Sequence, residues 1–163
     1  MTRDELAQST VMVLSVPHTG TRFAKRVLQQ RCKVRPIHVT DSEEVIEQRL
    51  SECAFVVMPI RNPEDCWRGW YKRGRGDAEK FVAAWRAYQV WADRTDPMIL
   101  PIDTPSRKDY LGQIEQALGT TLPTDWQPVG GQPHVFVDEP CPDVWSLPVV
   151  SRFYGLKEVG VPL

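Results

Sequence analysis

Four short apolar runs lie along the chain, and segments with helical periodicity separate them. The runs are rich in β-branched residues and end at turn-forming residues, a pattern typical of buried strands. The predicted strands are residues 11–16, 36–39, 54–58 and 98–102. Strands that alternate with helices at this spacing predict a parallel sheet with helices on both faces, an α/β fold.

Helical spacing of apolar residues predicts the intervening elements. Capping residues strengthen two of these assignments, since Ser42 or Asp41 precedes one helix and Pro63 suits the first turn of another. The predicted helices are residues 22–31, a segment after residue 42, a segment after residue 62, residues 78–94 and residues 110–118. From residue 120 onward Pro and Gly dominate, so the sequence predicts one domain over residues 1–163, with a core of about 11–119 and an irregular tail at 120–163.

Composition narrows the class of protein. A chain of 163 residues, 42% of them hydrophobic, suits one domain with one core. Four cysteines without a C-x-x-C spacing indicate reduced thiols in a cytoplasmic protein and argue against a structural zinc site. The apolar runs fall far short of the ~20 residues of a membrane span, and the N-terminal residues lack the apolar core of a signal peptide. We therefore expect no membrane association.

Charge is balanced overall but unevenly distributed. The chain has 20 Lys+Arg and 21 Asp+Glu, yet basic residues concentrate in segments 22–35 and 61–76. This distribution favours a local anionic ligand, whereas a nucleic-acid-binding protein is more often basic overall. Two solvated helix faces are the alternative explanation.

Ligands of parallel sheets gather at the carboxyl ends of the strands, so residues 17–22, residues 38–43, Arg61 and Asp103 are the candidate positions. The loop after the first strand leads directly into a helix, where backbone N–H groups and the helix dipole attract an anion. It lacks the G-x-x-x-x-G-K-[ST] pattern of a P-loop, and the third strand is not followed by a Mg²⁺-binding acid, so no metal is expected. An ordinary strand–turn–helix connection is the alternative.

The segment P-H-T-G-T-R-F at residues 17–23 resembles the 5′-phosphosulfate loop of the sulfotransferase family. The resemblance implies a three-layer, P-loop-like α/β fold and 3′-phosphoadenosine 5′-phosphosulfate as the sulfuryl donor. The residues that it assigns to the 5′ end of the donor are Pro17, His18, Thr19, Gly20, Thr21 and Arg22. His18 stands where the family has a lysine that contacts the leaving phosphate, and a protonated histidine can serve in that role.

The segment R-N-P-E-D that begins at Arg61 resembles the 3′-phosphate-binding segment of the same family. Arg61 would pair with the 3′-phosphate. Gly69 stands where the family has a second phosphate-binding residue, a serine, so Arg68 or Lys72 would have to supply that contact. The same letters also form a good helix N-terminus with a surface arginine, which is the alternative.

Sulfuryl transfer needs a base on the acceptor. His38, at the end of the second strand, is the first candidate because its ordinary pKa of ~6.5 suits a base near neutrality. Glu43 and Glu44 are its substitutes, and His134 is a third candidate. A strand-end histidine with a purely structural role is the alternative for His38.

The tryptophans are a second kind of candidate. Trp67 and Trp70, near the second motif, are candidates for lining an acceptor pocket. Trp85 and Trp91, on the predicted helix 78–94, are expected in the core.

The resemblance to the sulfotransferase family implies an enzyme that transfers a sulfuryl group to a hydroxyl or amine of an acceptor, which is either a small molecule or part of a large partner. No G-x-S-x-G motif supports a serine hydrolase, and three dispersed histidines do not favour a zinc hydrolase. Two other hypotheses stay open. One is a divergent P-loop phosphotransferase that uses ATP and Mg²⁺, and the other is a nucleotide-binding module without catalysis.

Overall fold

A central sheet of four strands organises the chain. The computed structural model describes residue 5, residue 8, residues 9–74, 77–103 and 107–119, residues 121 and 137, and residues 139–155. The strands are β1 (Thr10–Ser15), β2 (Lys33–His38), β3 (Phe55–Ile60) and β4 (Met98–Pro101). All neighbouring strands are parallel and their order is β2-β1-β3-β4. The prediction of a parallel sheet is confirmed.

Helices lie on both faces of this sheet. They are α1 (Thr21–Leu28), α2 (Glu43–Ser51), α3 (Pro63–Lys72), α4 (Ala78–Thr95), α5 (Arg107–Leu118) and α6 (Pro148–Tyr154). Val11 and Val13 of β1 pack in a core cluster with α1 and α5, whereas Met12 and Leu14 pack with α2, α3, α4 and α6. This alternation follows from the period of two in a strand. The arrangement is compatible with the predicted three-layer α/β sandwich.

Local sequence accounts for where the helices begin. Ser42 caps α2 by accepting a hydrogen bond from the Val45 N–H, and Asn62 caps α3 through the Glu64 N–H. Pro63 occupies the first turn of α3, where its missing N–H has no cost. The helix signals therefore set the points at which the chain leaves the carboxyl ends of β2 and β3.

An aromatic cluster joins α3 to α4. The ring of Phe81 meets Trp67 edge-on at a centroid distance of 5.0 Å, and meets Trp70 at 5.5 Å. Trp67 and Trp70 are each only 2% exposed, so they belong to the core instead of an open acceptor pocket. Trp85 and Trp91 are buried as predicted.

Most element boundaries differ from the prediction by one to three residues. Strand β2 begins at Lys33, three residues before the predicted start, because this edge strand carries exposed polar residues that hide its pattern. The tail also contributes to the core, since Val144, Trp145 and Val150 are buried against α4 and the sheet. The core therefore extends beyond residue 119.

Replacing Tyr88 with phenylalanine should lower the free energy of unfolding by about 1 kcal/mol. The fully buried Tyr88 hydroxyl donates a hydrogen bond of 3.2 Å to the Met58 carbonyl, and the variant loses it. Tyr71→Phe is the matched control, because Tyr71 is 42% exposed and should change stability by less than about 0.5 kcal/mol. Urea denaturation measures both, and equal effects would contradict the assignment.

Stability should also fall in alkali through Cys32. Burial raises the pKa of this thiol from 9.0 to about 11. Below pH 9 the thiol is protonated in both states. Between pH 9 and 11 the unfolded thiol loses its proton while the folded one keeps it, so the free energy of unfolding decreases. Denaturant titrations at several pH values should give a shallower decrease for Cys32→Ala, and an unchanged slope would show that Cys32 is not responsible.

Candidate functional site

The strand order creates a crevice at the carboxyl ends of β1 and β3. From β1 the chain passes through α1 to β2 on one side, and from β3 it passes through α3 and α4 to β4 on the other. Because α1 and α3 pack on opposite faces of the sheet, the two connections diverge from neighbouring strands. Such a switch in direction is where open α/β sheets bind ligands. Both predicted motifs lie at this point.

The loop after β1 has an unusual backbone. His18 has φ 71°, and Gly20, the N-cap residue of α1, has φ 93° and ψ 28°. Within the described residues no side chain caps α1. Left-handed residues before a helix turn successive N–H groups toward a common point, and the first N–H groups of a helix have no partner within it. The Thr19 N–H donates within the loop to the Val16 carbonyl, so the N–H groups that could meet an anion are those around Gly20 and the start of α1.

Gly20 is required at its position for two reasons. Its positive φ disfavours any residue with a Cβ. A Cβ placed there would also collide with the side chain of Ile102, just beyond β4. The loop is therefore packed closely against the segment that follows β4.

The threonine hydroxyls of this loop have partners inside the protein. The buried Thr19 Oγ1 donates to the Val16 carbonyl at 2.6 Å, and Thr21 Oγ1 lies 2.6 Å from Ser15 Oγ in a hydrogen bond. The Thr21 hydroxyl thus joins the start of α1 to the end of β1, and the Thr19 hydroxyl bonds within the loop itself. An anion would be held mainly by backbone N–H groups and by cations such as Arg22, which is exposed in the first turn of α1.

Helix α3 supports the same loop from the other face of the sheet. Cys66 Sγ donates to the Pro17 carbonyl at 3.2 Å. One turn later Gly69 faces His18, and a Cβ built on Gly69 would lie 3.1 Å from both Cβ and Cγ of His18. Burial raises the pKa of the Cys66 thiol, so the group stays protonated and able to donate. The structure thus brings together residues from the two predicted motifs.

Arg61 follows β3 at the start of this helix. It is half-buried. Burial raises the pKa of Cys66 and of Tyr154, and the positive charge of Arg61 offsets part of that increase. The guanidinium therefore lies close enough to interact electrostatically with Cys66, which bonds to the loop, and with Tyr154 of α6. This position agrees with a role in binding an anion at the crevice.

Asp103, after β4, ties three elements together next to Arg61. One carboxylate oxygen accepts the Asn62 N–H at 2.6 Å, and the other accepts the Tyr154 hydroxyl at 2.6 Å. Burial, and then the Asp103 carboxylate, raise the pKa of the Tyr154 phenol, which remains the donor. Sequence reasoning placed Asp103 at this edge but missed Tyr154, because the tail has no pattern that would indicate its contact.

The candidate bases that the structure describes lie on the edge strand β2 and on α2, which follows it. His38 ends the edge strand β2 beside Ser15, so their side chains share a face of the sheet one strand away. Glu43 pairs with Arg94 at 2.8 Å. Glu44 is exposed on α2. His134 lies outside the described residues.

The two substitutes for a second phosphate contact differ in their surroundings. Arg68 pairs with Asp65 at 3.3 Å within α3, whereas Lys72 is exposed at the end of that helix. Engagement with Asp65 neutralises part of the charge that Arg68 would offer an anion. Lys72 lies farther along the helix, one turn beyond Arg68 and nearer to solvent.

Neither metal ligation nor membrane insertion has a structural signal in the part of the chain that is described. Its His, Cys, Asp and Glu side chains form no group of three or more that could hold a metal ion. None of its helices combines the length and the apolar character needed to cross a membrane.

Comparison with family models, curated proteins and solved structures finds no match for this chain. The functional interpretation therefore depends on the residues and geometry of the crevice.

Replacing Gly20 and Gly74 with alanine should separate backbone strain from crowding. Gly74 has φ 62° and open space around it, so Gly74→Ala should cost about 1 kcal/mol of stability through its dihedral angle alone. Gly20→Ala should cost clearly more, because the new methyl also meets Ile102. In an Ile102→Ala background the difference between the two should shrink. Thermal denaturation measures all of these proteins, and equal losses at both glycines would contradict the close packing.

Proposed function

We propose that this protein is a small sulfotransferase-like enzyme that transfers a sulfuryl group from 3′-phosphoadenosine 5′-phosphosulfate to a hydroxyl or amine of an acceptor. The observation that carries the proposal is the contact of the loop at 17–20 with α3. This contact joins α3, which begins just after Arg61 and Asn62, to the loop before α1, whose N-terminus has no side-chain cap among the described residues. Two anion-binding elements at one crevice suit a ligand with phosphate or sulfate groups at both ends.

The resemblance of both segments to the sulfotransferase family supports this choice of donor. The N–H groups at the start of α1, with Arg22, would hold the 5′-phosphosulfate. Arg61 would hold the 3′-phosphate through its fork of donors. The Asp103 contact to the Asn62 N–H would keep the chain beside Arg61 in place while it binds.

The transfer itself would be an in-line displacement. The acceptor oxygen or nitrogen forms a bond to sulfur while the bond between sulfur and the bridging oxygen of the 5′-phosphate breaks. His38 would take the proton of the acceptor, and a protonated His18 would donate to the leaving phosphate oxygen. The position of His38 on β2 implies that the acceptor approaches from the β2 side of the crevice.

A nucleotide-binding module without catalysis is the second candidate. It is favoured by one observation: the Thr19 and Thr21 hydroxyls already have internal partners. The Thr19 hydroxyl, which donates to the Val16 carbonyl, is then not available to stabilise the charge that develops on the leaving phosphate. Such a protein would bind the donor but would not turn it over.

Calorimetric titration with 3′,5′-adenosine bisphosphate, the product nucleotide, tests the site. We expect micromolar binding that Arg61→Gln weakens by about tenfold to a hundredfold, because a charge-assisted hydrogen bond contributes about 1.5–3 kcal/mol. Arg86→Gln is the matched control, since Arg86 is an exposed arginine on α4. It should bind like the unchanged protein.

A parallel titration with ATP and Mg²⁺ distinguishes the alternatives. Preference for ATP and Mg²⁺ would replace the proposal with a phosphotransferase. Binding of neither nucleotide would overturn it. Bisphosphate binding without release of sulfate or sulfated product from the donor, over a panel of hydroxyl and amine acceptors, would favour the binding module.

A further inference from the structure

The two departures from the sulfotransferase pattern face each other in space. His18 replaces a lysine in the first segment and Gly69 replaces a serine in the second, 51 positions later. A Cβ on Gly69 would lie 3.1 Å from His18 Cβ, 3.1 Å from Cγ and 3.4 Å from Nδ1. The first two distances are shorter than ordinary carbon–carbon contacts of about 3.5–4.0 Å. Any side chain at 69 would therefore press on the imidazole.

We infer that Gly69 is a positioning residue that holds His18 at the anion-binding loop, so that the histidine and the glycine form one functional pair. The absence of a side chain on α3 leaves the space that the imidazole occupies. The ligand part of this inference rests on the proposed function, whereas the contact itself does not.

Two observations support a constraint at this point. Glycine inside a helix makes the helix less stable than alanine does, so Gly69 lowers the stability of α3. A helix with only a structural role would have no need of this glycine. His18 has φ 71°, a conformation unfavourable for a residue with a Cβ. Both costs occur where the loop meets α3, and the Cys66–Pro17 hydrogen bond holds the preceding residue against the same helix face.

The pairing has a consequence for the chemistry of the loop. A serine at 69 would bring its own Cβ and hydroxyl into the space of the imidazole. A side chain at 69 and the imidazole of His18 therefore compete for the same space, and Gly69 leaves that space to the imidazole.

A double-mutant cycle on thermal stability tests the contact without any ligand. Gly69→Ala should leave Tm unchanged or lower it when His18 is present, because the gain in helix stability is offset by the clash. In a His18→Gly background, which removes both the imidazole and its Cβ, the same change should raise Tm by about 2–4 °C. Gly112→Ala is the matched control, since Gly112 lies in α5 and a methyl placed on it would have no neighbour within 4 Å. This control should raise Tm equally in both backgrounds.

The histidine itself gives a second measurement of the contact. In ¹⁵N NMR spectra of the ligand-free protein, Gly69→Ala should shift the imidazole signals of His18 and leave those of His38 in place. The His18→Gly spectrum assigns the signals. If Gly69→Ala raised Tm equally in both backgrounds and left the His18 signals unchanged, the inference would be overturned, and the NMR comparison decides even if His18→Gly does not fold.

Affinity for 3′,5′-adenosine bisphosphate then tests the positioning role. Gly69→Ala should weaken binding by about threefold or more through displacement of His18, and Gly112→Ala should not. If the unchanged protein binds the bisphosphate but Gly69→Ala binds it equally well, the positioning role is wrong and the proposed function stands. If the unchanged protein does not bind it, the proposed function fails, while the stability cycle and NMR still decide the contact.

Discussion

The contact between the loop after β1 and helix α3 is the constraint on which the candidate site depends. Cys66 donates to the Pro17 carbonyl, and the next residue, His18, lies against Gly69. These contacts hold His18 in a left-handed backbone conformation, although other conformations would be lower in energy for this residue. The same helix begins next to Arg61, so the support of the loop and the location of the cation depend on one element.

The tail stabilises that element from its outer side. The Trp67 indole N–H donates to the Glu139 carbonyl at 3.0 Å, and the Cys141 thiol lies 3.5 Å from the Pro63 carbonyl and 3.4 Å from the Pro142 carbonyl, either of which can accept its proton. Further along, the Val149 N–H donates to Gln89 Oε1 at 2.8 Å, which attaches α6 to α4. These bonds connect segment 139–155 to both helices that follow β3, and Tyr154 then reaches Asp103 at the sheet edge.

In the proposed function, backbone N–H groups and cations bind the anion more than hydroxyls do. Thr19 and Thr21 have roles in the loop's own structure, and the first turn of α3 carries Glu64 and Asp65, which disfavour an anion there. The N-terminus of α1 has no acidic residue in its first turn. An anionic ligand would thus place its larger charge at α1 and meet Arg61 at its other end.

Local sequence patterns predict the four strands, helix starts next to Asp41 or Ser42 and at Pro63, and the positions after each strand where ligands are expected. These signals are local, because burial of a strand and capping of a helix depend on residues close together in the chain. The sequence did not reveal the early start of β2, whose outer residues are exposed. Only the tertiary structure decided that His18 meets Gly69, that Glu43 pairs with Arg94, and that Tyr154 joins Asp103. Each of these contacts joins residues far apart in the chain. Local sequence patterns do not predict such contacts, because the side chains meet only when the helices and strands pack together.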